Sequence, residues 1–269
     1  MPTPDDEAEY FAGRKLRGDD LSDDEVEQWL ANQREAYADL GARDRSQYRY
    51  GYHALDVLHG YRYLPAGRFE RVLGIGSAYG DEFAPIKNRI GELVIVDPSD
   101  AFVADRVLGI PARYMKPRVD GRLDLRDNTV DLITCFAVLQ HVPRVTPVLH
   151  EMYRCLKPGG HILIRDAIIS LGDWRRPRPG VTPEQRGIPL QLFRERISAA
   201  GFTTLKETKC MFALTSRLNR LTGASAYNSR WITRADRVAC ALFGWNTRYH
   251  RVRMHEKLGA WSVYYVLTK

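Results

Sequence analysis

The chain has 269 residues, of which 44% are hydrophobic and 27% are charged. This length allows one large domain or two small ones with a substantial core, so folding does not require disulfides or a metal. No run approaches the ~18 consecutive apolar residues of a membrane helix, and the acidic N-terminal segment lacks the apolar core of a signal peptide. The four cysteines form no CxxC pair and no zinc-ligand spacing. The composition therefore predicts reduced thiols, no metal site and a cytoplasmic protein.

The net charge of +7 is unevenly distributed along the chain. Residues 1–30 hold ten acids and three bases, a net of −7, whereas residues 170–269 hold eighteen bases and six acids, a net of +12. Such a basic end is typical of proteins with an anionic partner, such as a phosphorylated metabolite, a nucleic acid or a membrane surface. The chain carries no RNA- or DNA-binding signature, so solvated basic faces are favoured over a nucleic-acid partner.

The predicted elements begin with an N-terminal helical region. Residues 1–23 are polar and predict a flexible lead-in. A serine followed by three acids predicts a helix over 24–40. A second helix is predicted over 48–63, where five tyrosines are expected to pack against a sheet rather than line a ligand. We assign residues 1–66 to a helical lead-in or lid and residues 67–269 to the main domain.

From residue 70 the pattern alternates between strands and helices. Near-continuous apolar strands are predicted at 71–76, 92–97, 130–136 and 160–166, with a helix at 145–157. Strands of this kind indicate a parallel sheet that is covered on both faces. The sequence therefore predicts a doubly wound α/β fold, in which ligands bind at the carboxyl ends of the strands.

The last hundred residues follow a different pattern. We therefore divide the main domain into a cofactor half (67–166) and an acceptor side (167–269). A loop rich in Pro, Arg and Gly leads to a predicted helix, and two strands are predicted at 202–212 and 261–269. A mostly helical insertion at 214–259 separates these two strands. An insertion of this length indicates a functional element or a lid. An amphipathic surface for a membrane and a dimer contact both stay open.

A glycine-rich segment joins the first strand of the main domain to a predicted helix. The sequence VLGIGSAYGDE at 72–82 allows a tight turn and a close approach of the backbone to a ligand. Asp97 ends the next strand, where an acid can accept hydrogen bonds from ribose hydroxyls. Tyr79 stands where a pyrophosphate loop has glycine, and Asp81 and Glu82 follow. The segment therefore indicates an adenosine-type cofactor with a cationic part, the alternative being a glycine turn without a ligand.

Four blocks in order carry a family resemblance: VLGIGSAYG (72–80), LVIVD (93–97), DNTVDLITCFAVLQHVP (127–143) and LHEMYRCLKPGGHILIRD (149–166). With them the chain resembles class I S-adenosylmethionine-dependent methyltransferases, in particular the small-molecule group similar to ubiquinone/menaquinone methyltransferases. The resemblance implies a Rossmann-like, doubly wound and mostly parallel sheet of seven strands. N-terminal helices and a helical insertion before the last strand complete the expected fold, and S-adenosyl-L-methionine is the implied cofactor.

The resemblance also implies a set of cofactor-binding residues: Gly74, Gly76, Ser77, Ala78, Gly80, Asp97, Pro98, Asp120, Phe136 and Ala137. Asp97 matches the acid that binds the ribose. Asp120 lies nearest to the acid that meets the adenine, with a spacing one residue short, and capping of a turn is its alternative role. The family usually has an acid where this chain has Gly74, and Asp81, Glu82 or the loop backbone is the candidate replacement.

Methyl transfer from a sulfonium is an in-line displacement, for which an enzyme positions the acceptor and excludes water. A hydroxyl acceptor also benefits from a general base. His141, just after the fourth strand of the family pattern, and Asp166, at the end of the fifth, are the catalytic candidates. A structural role is the alternative for His141, and Arg165 is expected to pair with Asp166 or with substrate.

The acceptor pocket is expected from the N-terminal helices, the 170–189 loop and the insertion. These elements supply Tyr48, Tyr52, Trp174, Arg175, Arg176, Arg178, Tyr227, Trp231 and Trp245. Arginines beside aromatic rings suit a small-molecule or sugar acceptor, phosphorylated or not. The sequence therefore predicts an O- or N-methyltransferase. An RNA methyltransferase and a non-catalytic binding relative are the alternatives, and a homodimer stays open.

Overall fold

A computed structural model describes residues 4–42, 45, 48–178, 181–223 and 226–269. The helices are α1 (Pro4–Ala12), α2 (Asp23–Ala42), α3 (His53–His59), α4 (Val145–Cys155), α5 (Leu190–Ala199), α6 (Ala213–Leu221) and α7 (Arg230–Leu242). The strands are β1 (Phe69–Ile75), β2 (Ile90–Val96), β3 (Arg106–Val107), β4 (Ile110–Met115), β5 (Val130–Phe136), β6 (Leu156–Ala167), β7 (Thr203–Phe212) and β8 (Ala260–Thr268).

The strands form one twisted sheet in the order β3-β4-β2-β1-β5-β6-β8-β7. Strands β4, β2, β1, β5 and β6 are parallel, whereas β8 runs antiparallel to both β6 and β7. Strand β2 lies on one side of β1 and strand β5 on the other, so the strand order reverses at β1. Open α/β sheets bind ligands in the crevice at such a reversal. The predicted doubly wound fold is confirmed. The eighth strand is β3, a two-residue edge that pairs with β4.

The sheet separates two hydrophobic cores. Successive residues of β1 are both fully buried, with Val72 on one face and Leu73 on the other. Leu73 packs in the cluster that includes Leu149 of α4, and Val72 packs in the cluster that includes Leu55 of α3. A strand that is covered on both faces appears in the sequence as a continuous apolar run, so the positions of these strands could be predicted.

Two N-terminal predictions were wrong. Residues 4–12 form α1 rather than a flexible lead-in, and the buried Tyr10 donates its hydroxyl hydrogen to Asp20 at 2.8 Å. Residues 48–52 are not helical, so the helix predicted over 48–63 is reduced to α3 and a short 3-10 turn. The tyrosines of this segment stand at every second residue, a spacing that does not favour a helix, and their contacts are described below.

The glycine segment leads into a 3-10 helix, Asp81–Arg89, where an α-helix was predicted. Pro85 lies inside this element, and its missing N–H removes an α-helical hydrogen bond. The short helix still places Asp81 and Glu82 directly after the glycine loop.

The insertion between β7 and β8 is mostly helical, as predicted, and its described residues include α6, α7 and two 3-10 turns. It is fastened to β7 by Asp236, whose carboxylate accepts the backbone N–H of Met211 at 2.9 Å and of Phe212 at 2.7 Å. Among the helices that the structure describes, none is both long and apolar enough to cross a lipid bilayer.

Candidate active site

The loop after β1 forms a tight cradle at the carboxyl edge of the sheet. Gly76 has a φ of +62° and Gly80 a φ of +69°, values that glycine adopts without strain. A Cβ atom on Gly76 would lie 2.5 Å from a methyl carbon of Val138, and one on Gly80 would lie 2.6 Å from a methyl carbon of Val107. Ala78, between them, also has a positive φ of +46°. Side chains therefore do not fit at positions 76 and 80.

Asp97 follows β2 and lies against this loop. Its side chain is buried, and it accepts the backbone N–H of Ala78 at 3.1 Å and of Ser99 at 3.0 Å. Burial raises the pKa of Asp97, while these two hydrogen bonds act in the opposite direction. A carboxylate offers about four acceptor positions, so Asp97 can accept further hydrogen bonds from a pair of ribose hydroxyls.

Gly74 stands where the family pattern has an acid, and the structure places another carboxylate nearby. A Cβ atom on Gly74 would lie 2.2 Å from Oγ of Ser77, so the Ser77 side chain occupies that space. Glu82 is 4% exposed and, like Ser77, lines the cavity described next. Burial raises the pKa of Glu82 to about 8, although a hydrogen bond with Ser77 acts in the opposite direction. Asp81 instead pairs with Arg45, with 2.6 Å between Oδ1 and Nη2.

A cavity of about 410 Å³ opens at the carboxyl ends of β1, β5 and β6. The described residues that line it are Tyr48, Arg49, Tyr50, Gly51, Tyr52, Ile75, Gly76, Ser77, Glu82, Phe136, Ala137, Gln140, Arg165, Ala167, Leu171, Val181, Gln185, Met211, Trp261 and Ser262. A larger depression of about 840 Å³ lies between α1, α5 and residues 247–256, away from those strand ends. Because open α/β sheets bind ligands at their carboxyl edge, the smaller cavity is the candidate site.

A buried guanidinium forms one wall of this cavity. Nε of Arg165, on β6, lies 3.4 Å from Oδ1 of Asp56 on α3. Tyr50 donates its hydroxyl hydrogen to the other Asp56 oxygen at 2.6 Å. The rings of Tyr52 and Phe136 lie 4.3 and 5.4 Å from the guanidinium carbon. Burial opposes the charge of Arg165, but the Asp56 carboxylate and the nearby tyrosines raise the pKa of the guanidinium above its usual value. The wall therefore carries a positive charge flanked by aromatic rings.

Asp166, one of the two predicted bases, holds a turn behind the cavity wall. Its buried carboxylate accepts four backbone N–H groups at 2.7 to 3.2 Å, those of residues 138, 139, 140 and 167. These bonds fix the 3-10 turn after β5 and occupy the acceptor positions that a base would need. Arg165 pairs with Asp56 and not with Asp166, because consecutive side chains of a strand point to opposite faces.

His141, the other predicted base, contacts α2. Its Nδ1 lies 3.1 Å from Oε1 of Gln33, and its Nε2 lies 3.1 Å from Nε2 of Gln140. Burial, aided by the charge of Arg186, lowers the pKa of His141 to about 4, so the ring is neutral at pH 7. The described lining of the cavity includes neither predicted base. The geometry favours a structural role for both residues, a role that was the predicted alternative for His141 only.

The predicted cofactor residues fall into three groups. On the cavity wall are Gly76, Ser77, Phe136 and Ala137; in or against the adjoining loop are Gly74, Ala78, Gly80, Asp97 and Pro98. Asp120 lies apart on an exposed turn, where it pairs with Arg118 at 2.9 Å and accepts the Arg122 N–H at 3.0 Å. The structure thus gives Asp120 the turn-capping role that was its alternative.

The predicted acceptor residues are also divided. Those that line the cavity or stack directly behind its wall are Tyr48, Tyr52 and Tyr227. Those in the 170–187 loop, outside the described lining, are Trp174, Arg175, Arg176 and Arg178. Those exposed on the insertion are Trp231 and Trp245. Sequence reasoning did not name Asp56, Met211 or Trp261, because α3, β7 and β8 bring them to the site and no local motif marks them.

Comparison with known proteins covers the glycine loop and the strand ends next to it. A family model described as a methyltransferase domain matches residues 73–164. A probable S-adenosylmethionine-dependent methyltransferase of Mycolicibacterium smegmatis is 34% identical over 151 residues, which cover 53% of this chain and 51% of that protein. The UbiE ubiquinone/menaquinone biosynthesis C-methyltransferase of Idiomarina loihiensis is 35% identical over 104 residues, which cover 35% of this chain and 41% of that protein. Residues 73–164 form a methyltransferase domain, and these similarities support a class I S-adenosylmethionine-dependent methyltransferase. The matches span about half the length or less of these curated relatives.

Solved structures share the fold of the methyltransferase domain. The cyclase SpnF superimposes with a TM-score of 0.54 and 20% identity, over 81% of this chain and 81% of its own. Phosphoethanolamine N-methyltransferase 2 of Haemonchus contortus, solved in complex with S-adenosyl-L-methionine, has a TM-score of 0.52 and 17% identity, over 80% of this chain and 52% of its own. At these identities the likeness establishes the fold and leaves the reaction to be argued from the site.

The methyltransferase domain has residues that fit S-adenosylmethionine. The glycine cradle brings backbone close to the ligand, and the buried Asp97 suits ribose hydroxyls. Glu82 adds a buried carboxylate on the cavity wall, where it can meet an ammonium group. A ligand with an amino acid end, a ribose and a positive charge matches this donor set.

Proposed function

We propose that this protein transfers a methyl group from S-adenosylmethionine to a small-molecule acceptor, at oxygen or nitrogen. The observation that supports this most directly is the cavity itself, which joins the glycine loop to the buried Arg165–Asp56 pair at the carboxyl edge of the sheet. One end of the cavity has the groups suited to the cofactor, and the other has aromatic rings and a guanidinium suited to an acceptor.

Three groups of the chain would hold the cofactor. Gly76 and Gly80 shape the loop, Asp97 accepts from the ribose, and Glu82 takes the place of the acid missing at Gly74. S-adenosylmethionine, when bound, supplies an electrophilic methyl group on a sulfonium. Phe136 presents an aromatic ring to the same cavity, and such a ring favours a neighbouring cation.

The end of the cavity beside Arg165 would select the methyl acceptor by hydrogen bonding and charge. Arg165 is held by Asp56 on one side and flanked by Tyr52, so its remaining N–H groups are oriented before a ligand arrives. Oriented N–H donors favour a methyl-accepting substrate that carries a hydroxyl, carboxylate or phosphate oxygen, such as a sugar or a phosphorylated compound. Tyr50 lines the cavity beside Asp56. Tyr48 lines it beside Tyr79 of the glycine loop, with ring centres 5.2 Å apart. The two rings would exclude water from the reacting atoms.

A second candidate is a protein that binds the cofactor without transferring its methyl group. The observations that favour it are the loss of the acid at Gly74 and the fixed, structural contacts of His141 and Asp166. The two candidates agree on cofactor binding and differ in whether S-adenosylhomocysteine accumulates.

Calorimetric titration with S-adenosylhomocysteine tests the shared part of the proposal. Wild-type protein should bind saturably. Asp97→Ala should weaken binding about 10- to 100-fold, the effect of losing hydrogen bonds to a charged group. Asp100→Ala is the matched control, because Asp100 lies three residues further on and is exposed. No saturable binding by the wild type, or equal losses in both variants, would contradict the assignment.

Transfer itself is tested with a methyl-labelled donor and fractionated polar and lipid extracts. Label that moves to an acceptor and falls in Arg165→Met supports the proposed reaction. Binding of the donor with no labelled product in any fraction supports the second candidate.

A further inference from the structure

The two helices of the insertion bury several polar residues and expose several large apolar ones. α7 buries Thr233 and Asp236, and α6 buries Ser216 and Asn219. Asp236 binds the end of β7 and the hydroxyl of Thr215, and thereby joins the two helices to the domain. The inner sides of these helices thus combine hydrogen bonds with a small apolar cluster that includes Cys240 and Phe212.

The outward side of the insertion is apolar. Along α7 and the turn after it, Trp231 is 76% exposed, Leu242 71% and Trp245 74%. On α6, Leu221 is 84% exposed and Leu214 is 55% exposed. Several large exposed apolar side chains on one element mark an interaction surface, whereas scattered single ones are ordinary. We call the exposed side chains of α6, α7 and Trp245 the insertion surface.

The insertion surface is also strongly basic. Between Glu207 and Glu256 the sequence has one acid, Asp236, and it is buried. Five arginines on the two helices are exposed: Arg217, Arg220, Arg230, Arg234 and Arg237. Arginines interleaved with tryptophan and leucine, without an exposed acid, are complementary to a surface that is negative outside and apolar beneath.

We propose that the insertion surface docks on a membrane with anionic lipids. Tryptophan and leucine would enter the headgroup boundary while the arginines meet lipid phosphates. A second copy of the chain would oppose arginine to arginine across a two-fold axis, which disfavours self-association. A nucleic acid would satisfy the arginines and leave the leucines uncovered. The assignment does not depend on methyl transfer.

The insertion surface is connected to the cavity. Tyr52 of the cavity wall stacks on Tyr227 of the insertion, with ring centres 5.8 Å apart. Asn228 donates to the backbone oxygen of Tyr50 at 3.0 Å. A docked protein would therefore keep the cavity next to the insertion that contacts the lipid.

Flotation with vesicles tests the proposal on the full chain. Vesicles of phosphatidylcholine with phosphatidylglycerol should bind the protein, added salt should weaken binding, and vesicles of phosphatidylcholine alone should bind far less. Arg234→Gln with Arg237→Gln should weaken binding about 25-fold, at about fivefold for each arginine. Arg68→Gln with Arg126→Gln removes the same charge from exposed positions elsewhere and should leave binding unchanged.

An apolar pair of variants completes the test. Leu242→Ser should weaken vesicle binding about tenfold, whereas Leu205→Ser, at an exposed position on β7, should have no effect. Thermal unfolding of each variant verifies that it folds. Equal binding to both vesicle types, or equal losses in a variant and its control, would overturn the proposal. So would a wild-type dimer that Leu242→Ser dissociates, because the surface would then face a second copy.

Discussion

Replacing Glu82 by Gln should remove a pH dependence from cofactor binding. The Glu82 carboxyl is buried on the cavity wall, and burial raises its pKa to about 8. An ammonium group prefers the ionised carboxylate, so binding must draw a proton off Glu82 whenever the pH lies below 8. Affinity should therefore fall as the pH is lowered.

The size of the effect follows from the ionised fraction of Glu82. With a pKa of about 8, roughly one carboxyl in eleven is ionised at pH 7 and roughly one in a hundred at pH 6. The apparent Kd is the intrinsic value divided by that fraction, so affinity should rise about ninefold between pH 6 and pH 7. About 0.9 proton should leave per ligand bound at pH 7.

The assay is calorimetric titration with S-adenosylhomocysteine, whose amino group stays protonated in this window. Repeating it in two buffers with different ionisation enthalpies gives the number of protons released. Glu82→Gln should bind with nearly constant affinity from pH 6 to pH 7 and release no proton. Asp81→Asn, at the neighbouring carboxylate that pairs with Arg45, should keep both the pH dependence and the proton release. Its midpoint should move slightly to lower pH, because the charge of Asp81 is a minor cause of the raised pKa of Glu82.

The same carboxyl affects the stability of the ligand-free protein. The folded-state pKa of Glu82 lies above its model value of 4.5. The folded protein therefore holds the Glu82 proton more tightly than the unfolded chain does. The resulting stabilisation is complete below pH 4.5 and is lost as the pH rises toward 8. A wild-type affinity that does not change with pH, or a pH dependence that survives in Glu82→Gln and disappears in Asp81→Asn, would refute the reasoning.

The remaining predictions concern stability, measured by urea unfolding. Gly76→Ala should lower the free energy of unfolding by about 2–4 kcal/mol, since it adds strain at a positive φ and a contact with Val138. Gly159→Ala, at a φ of +75° with open space around it, should cost about 1 kcal/mol, and equal losses would contradict the close contact at Gly76. Arg165→Met should cost about 3–5 kcal/mol, because it leaves Asp56 buried and unpaired. Adding Asp56→Leu should restore most of that loss, and a double variant no more stable than Arg165→Met would argue against the ion pair.

The sheet and the glycine loop were predictable because their signals are local. A strand covered on both faces reads as a continuous apolar run, and a turn with positive φ calls for glycine at fixed positions. Asp97 was predictable for the same reason, since it follows directly from the end of β2. The 48–52 segment was wrongly predicted to be helical, although its tyrosines stand at every second residue. Contacts of these tyrosines with Asp56, Arg165 and Tyr227 hold the segment outside α3.

The rest of the site depends on contacts between residues that are far apart in the sequence, and the spacing of residues along the chain does not predict such contacts. His141 and Asp166 stand at plausible strand ends, yet both turn toward backbone and amide partners. Glu82 and Arg165 could be named from the sequence, but their burial on the wall of one cavity could not.

Four features could be predicted from the residue pattern alone: the doubly wound sheet, the glycine loop after β1, the acid after β2 and the helical insertion. These features rest on periodicity and on residue types that a backbone conformation requires. The folded arrangement was needed to see which carboxylate faces the cavity, which base candidates have structural contacts, and which large apolar side chains of the insertion are exposed. Such assignments depend on which way a side chain points and on what a distant segment places beside it, and a linear pattern carries neither.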